Sequence, residues 1–197
     1  MSAAAHAPAG AVEWRLPDRG RVGILGLIAA ESAIFAIFVV AYLYYLGKSL
    51  TGPTPADVLH LPVAVSILLW SSSATIHLAV RALRAARLPA FTLWWALTVL
   101  FGALFLAGTG REWYRLIYEE GLTIRTNLFG TTYYSLVGLH ASHVIAGLVM
   151  LTTVLALALG GHVQARHAGR AEVLSLYWHF VDAVWVVVFL VVYVVGR

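Results

Sequence analysis

The segment from Val173 to Val195 is apolar over 23 residues, yet it carries His179 and Asp182 within one helical turn of each other. About 20 apolar residues suffice to cross a hydrocarbon core as a helix. An ionisable side chain at that depth costs roughly 2.5–3.5 kcal/mol on insertion scales, so such residues must face protein, water or a partner. At helical periodicity Ser175, His179, Asp182, Val186, Phe189 and Tyr193 share one face, with Trp178 and Trp185 beside it. Valines cover most of the opposite side. The expectation is one lipid-facing wall and one polar seam, in which His179 and Asp182 pair with each other.

Four further apolar runs precede this one, and together they place helices at about 22–46, 60–80, 90–112, 128–160 and 173–195. The chain is 61% hydrophobic and 11% charged, with a mean hydropathy of +0.85. One soluble core of 197 residues cannot hide that much apolar surface. The fold class is therefore an all-α membrane protein, a bundle of five transmembrane helices over residues 22–197 behind a polar tail, 1–21. The tail is Ala/Pro-rich with mixed charges and lacks a charged start leading into a short apolar stretch and cleavage site, so it does not read as a signal peptide. Arginines lie between the apolar runs instead of clustering, which argues against a nucleic-acid surface. There is no cysteine, so disulfides, thiolate metal sites and cysteine catalysis are excluded.

Five crossings put the termini on opposite sides. The tail and the second–third and fourth–fifth loops hold eight of the thirteen basic residues, which places the N-terminus in the cytoplasm and the C-terminus outside. Tyr42, Tyr44, Tyr45, Trp94, Trp95, Trp113, Tyr114 and Tyr193 read as interface anchors. Arg81 and Arg84, with His77 one turn before, are candidates for lipid headgroups as well as simple topology signals.

The remaining intramembrane polar groups carry the chemistry. Glu31 lies about 15 Å into the first helix at 1.5 Å per residue, with no basic residue within a turn. A partner could come only from another helix, and Glu31 reads either as a protonated hydrogen-bonding group or as a proton-exchanging one. The fourth run contains Gly138-Leu-His-Ala-Ser-His-Val-Ile-Ala-Gly147, with His140 and His143 on a face with Tyr133 and Gly147. Gly138, Ser142 and Ala146 form a small-residue stripe suited to close helix approach. His77, His140, His143 and His179 invite a metal or haem reading, but no His-Glu-x-x-His or Glu-x-x-His pair occurs.

Three blocks resemble subunit III of the haem-copper terminal oxidases, the cytochrome c oxidase subunit 3 family. They are Glu31 in Ala-Ala-Glu-Ser-Ala-Ile-Phe, the Gly138–Gly147 stretch, and Tyr177-Trp-His-Phe-Val-Asp-Ala-Val-Trp185. Arg111-Glu-Trp-Tyr114, Asn127-Leu-Phe-Gly-Thr131 and Glu172 are similar to the family at further points, in the right order from Val22 to Gly196. Segment 34–38 is less aromatic than the family pattern. The resemblance is to the five-helix form in bacterial quinol oxidases and some bacterial cytochrome c oxidases, which lacks the first two helices of seven-helix versions.

That resemblance implies a subunit without redox centre or metal, in a bacterial cytoplasmic membrane. Its partners would be subunit I directly, then subunit II and other subunits, with haem and copper held by them. It also implies phospholipid binding, near Glu31, His77, Arg81 and Arg84, and support of proton uptake and of durability through turnover. Glu31 matches the family's buried carboxyl near the proton-uptake side; His140, His143, His179 and Asp182 match positions lining the bundle interior. A nitric oxide reductase relative and a free-standing proton-coupled transporter are the alternative readings.

Overall fold

The computed structural model describes residues 19–196. Residues 1–18 of the expected tail, and the reading of them as no signal peptide, lie outside the described residues. Arg19–Arg21 belong to the first helix. The elements are α1 (Arg19–Tyr45), a short α2 (Pro55–Val58), α3 (Val63–Arg84), α4 (Leu88–Tyr118), α5 (Leu128–Leu159) and α6 (Ala168–Phe189), which continues as a π-helical turn over Leu190–Val195. A 3₁₀ turn, Ala165–His167, leads into α6. Five of these helices are long and apolar enough to cross a membrane, and the described residues contain no strand.

The helix ends follow local chemistry. Arg81 and Arg84 fall inside α3, whose last turn they occupy, so this helix runs from Val63 to Arg84 where the apolar run suggested 60–80. Ala85–Arg87 make the tight turn into α4, with Ala86 in the left-handed region at φ 56° and Arg87 N–H reaching back to Ala82 O. Pro89 suits the first turn of α4, where no N–H is needed. Asn127 caps α5, its Oδ1 accepting from Gly130 N–H at 2.8 Å, while its Nδ2 donates to Thr51 O and Pro53 O. A Cβ on Gly130 would stand 2.3 Å from Thr123 O, so only glycine fits there. Near α2, outside the membrane, the Thr54 hydroxyl and amide both donate to Asp57 and hold its carboxyl below the ordinary range.

Buried positions recur at intervals of four and three. In α4 they are Phe91, Trp95, Thr98, Gly102, Phe105 and Thr109; in α5, Tyr133, Val137, His140, Val144, Gly147 and Leu151. This is the seam repeat of packed helix bundles. Lipid tails are as apolar as leucine, so association must come from close packing and hydrogen bonds between helices. Both are visible at Trp178 of α6. Its ring fills the space left by two glycines: a Cβ on Gly102 would stand 2.7 Å from it, and one on Gly147 2.8 Å. Its indole N–H donates to Ser72 Oγ of α3 at 2.7 Å, and Trp185 donates to Ser66 Oγ at 3.0 Å. Trp95 is likewise in the core, donating to Leu151 O at 2.9 Å.

Three expectations change here. Trp95, Tyr42 and Tyr193 are core residues and not interface anchors, whereas Tyr44, Tyr45 and Tyr114 are exposed. Ser142 and Ala146 of the expected close-approach stripe are exposed, and the close contact runs through Gly147. The buried arc of α6 is Ser175, Trp178, Asp182, Trp185, Val188 and Val192, which leaves Val186 on the outer surface. Aromatic bulk with an N–H to satisfy decides the buried arc, and hydropathy does not reveal it.

Candidate functional site

Among the long helices α1 packs chiefly against α5 and α6, and its buried residues are Phe35 and Tyr42. Glu31 sits one turn before Phe35, and its Oε2 lies 3.1 Å from His143 Nε2 of α5. Its partner from another helix is His143. The other ring nitrogen, His143 Nδ1, lies 2.8 Å from Leu139 O, a carbonyl that can only accept, so Nδ1 carries a proton. Nε2 is then the nitrogen left to face the Glu31 carboxyl, and a proton between the two would hydrogen-bond them. Phe35 covers the pair with its ring 5.0 Å from that of His143. Glu31 keeps 23% of its side chain exposed and His143 14%, so the pair opens to the outer surface between α1 and α5. Beside it, Phe35, Ala36, Val39, Phe180 and Val184 line an apolar groove of about 430 Å³ between α1 and α6.

His140, one turn earlier in α5, does not join this pair. It is fully buried, stacked on Trp185 at 5.0 Å and edge-on to Phe105 at 5.8 Å. Neither of its nitrogens has a hydrogen-bond partner among the described residues.

The α3–α6 seam differs from the expected His179–Asp182 pairing. Ser73 of α3 stands between the two: its Oγ lies 3.0 Å from His179 Nδ1 and donates to Asp182 Oδ2. No hydrogen bond joins His179 to Asp182 directly among the described residues, because the shared hydroxyl occupies the space between them. Serine at 73 was not singled out in the sequence. Its one signal is the run Ser71-Ser72-Ser73 inside an otherwise apolar helix.

A second group missed by the sequence reading is Glu112 of α4. Tyr193 donates to its Oε2 at 3.0 Å, and Tyr193 and Tyr133 hydroxyls lie 3.2 Å apart. At the opposite end, Glu172 of α6 binds Arg21 of α1 at 2.7 Å and Arg84 of α3 at 2.5 Å. Arg84 is thus engaged within the chain, while Arg81 and His77 are exposed on α3. No group of three His, Asp or Glu side chains gathers at metal-binding distance among the described residues.

The chain matches the family profile described as cytochrome c oxidase subunit III over residues 18–197. It belongs to that family. A protein named cytochrome c oxidase subunit 3 from a Synechocystis species is 40% identical over 182 residues, which is 90% of this chain and 76% of that protein. A protein of the same name from Alkalihalophilus pseudofirmus is 33% identical over 177 residues, covering 89% and 86% of the two chains. A probable cytochrome c oxidase subunit 3 from Nocardia farcinica is 32% identical over 204 residues, 99% of this chain and all of that one. Membership in the subunit III family together with five apolar helices makes the chain a multi-pass membrane subunit of a terminal oxidase.

Proposed function

We propose that the chain is the non-redox subunit III of a bacterial respiratory haem-copper oxidase that reduces dioxygen to water and pumps protons. It packs on subunit I, within a complex that includes subunit II and holds haem and copper outside this chain. Its N-terminus lies in the cytoplasm, with Arg81, Arg84, Arg87, Arg166 and Arg170 on that side. Glu31 and His143 act as one proton-sharing pair at the bundle surface, and the groove between α1 and α6 takes a phospholipid acyl chain. Arg81 and Arg84 lie at the headgroup end of the same leaflet.

One observation carries the proton role: a carboxyl and an imidazole meet at 3.1 Å on a surface-open side of α1. A structural carboxyl needs only one donor, whereas this contact can pass a proton in either direction. The test is Glu31→Gln in the assembled oxidase. The amide keeps the shape and can still donate to His143 Nε2, so assembly should be unchanged. Proton uptake should slow and activity should decline faster during sustained turnover. Uptake rates and durability equal to the parent enzyme across pH would reduce Glu31 to a packing group.

A further inference from the structure

The α3–α6 seam reaches the outside of the bundle with hydrogen-bonding groups left over. Ser73 Oγ is satisfied by His179 and Asp182, but nothing among the described residues bonds His179 Nε2. His77 follows Ser73 by one turn on the same face of α3, is exposed, and has no hydrogen bond among the described residues. Two imidazoles, one from each helix, therefore face outward around the same spot.

Their depth decides what can satisfy them. The Arg84–Glu172 ion pair ties the ends of α3 and α6 together at one level. Both His77 and His179 lie seven residues inward from it, about 10 Å at 1.5 Å per residue, and Ser73 lies deeper. Acyl tails offer neither donor nor acceptor, and an unsatisfied polar group there is expensive. The surroundings suit a helix. Trp70 is partly exposed and packs edge-on to Phe189 at 5.7 Å, forming one apolar flank. Ala74, exposed between Trp70 and His77, allows a backbone to come close, and Ala183 and Val186 continue the surface on α6.

We propose that this face, centred on His77 and His179, is the docking surface for a transmembrane helix of the haem-bearing subunit. With the Ser73 hydroxyl donating to Asp182, His179 Nδ1 carries the ring proton and Nε2 accepts, so that helix supplies a hydroxyl or amide side chain that donates to His179 Nε2 and hydrogen-bonds His77. The proposal rests on the reading of the chain as an oxidase subunit.

The test uses the assembled oxidase in its native membrane. A photo-reactive benzophenone residue replaces Ala74 or Trp70, with Leu100 and Val149, exposed elsewhere on the bundle, as controls. Ala74 and Trp70 should cross-link to the haem-bearing subunit several-fold more than the controls. Cross-links from Leu100 or Val149, with only lipid adducts from Ala74 and Trp70, would overturn the docking surface and leave the oxidase reading standing. Failure of the parent chain to co-purify with any haem-bearing subunit would instead remove that reading itself. As a second arm, His77→Leu should lower retention of the chain after detergent extraction and His77→Gln, which keeps a donor, should restore it. Undiminished retention in His77→Leu counts against the proposal.

Discussion

Ser73 shows how much one hydroxyl can organise at bilayer depth. It hydrogen-bonds an imidazole and a carboxyl that share no hydrogen bond with each other, and Asp182 is only 5% exposed. Ser73→Ala should strand both, at a cost of about 1–3 kcal/mol for the desolvated groups. The yield of assembled complex and its thermal midpoint should both fall, whereas Ser72→Ala, which removes one acceptor from Trp178, should cost about 1 kcal/mol or less. Equal, small effects from the two would show that His179 and Asp182 find other partners. The spacing of His179 and Asp182 pointed to a polar seam, and the depth of Glu31 left another helix as the source of any partner. Neither identified the partner. Helical periodicity describes one helix at a time, and the register between helices decides that Ser73 and His143 are the groups that arrive. Serine also satisfies itself on a carbonyl of its own helix, as Ser66 does on Pro62 O, so it carries little signal in a hydropathy reading.

At the scale of the helix, Trp178 joins three elements at once: Ser72 of α3, Gly102 of α4 and Gly147 of α5. Two opposed effects meet in Gly147→Ala. Helix propensity favours alanine by about 1 kcal/mol. Against this, the new Cβ would press on a ring already held on its other side by Gly102, and overpacking of this kind costs about 1–3 kcal/mol. The clash should win, giving a lower denaturation midpoint for the detergent-solubilised complex. Gly110→Ala in α4, where nothing lies within 4 Å, should be neutral or stabilising by up to about 1 kcal/mol. A midpoint for Gly147→Ala at or above that of Gly110→Ala would show that Trp178 moves freely. The existence and order of five crossings could be read from the apolar runs, because bilayer thickness sets their length. The ends could not, since Arg81 and Arg84 stop a hydropathy window but sit comfortably in the last turn of α3. Nor could the face that each helix buries, which follows tryptophan–serine and tryptophan–glycine fits between elements.

For the whole molecule, three polar centres are distributed over one bundle: Glu31–His143 on α1 and α5, Ser73–His179–Asp182 on α3 and α6, and Glu112–Tyr193–Tyr133 within it. Two of these open to the outer surface at a depth where lipid cannot hydrogen-bond, which suits a subunit built to stand beside another polypeptide. The family could be recognised from ordered motif blocks even though each block alone is short, because helix order and spacing are shared over nearly the whole chain. Which face meets the partner has no linear signature, as it is assembled from α3 and α6, about a hundred residues apart. The most direct test is native mass spectrometry of the intact complex released from membranes, followed by dissociation and haem analysis of each polypeptide. The account predicts that this chain leaves as a haem-free polypeptide from a complex whose haem stays with another subunit. Haem retained on this chain, or a chain isolated as a stable, monodisperse species with no haem-bearing partner, would contradict it.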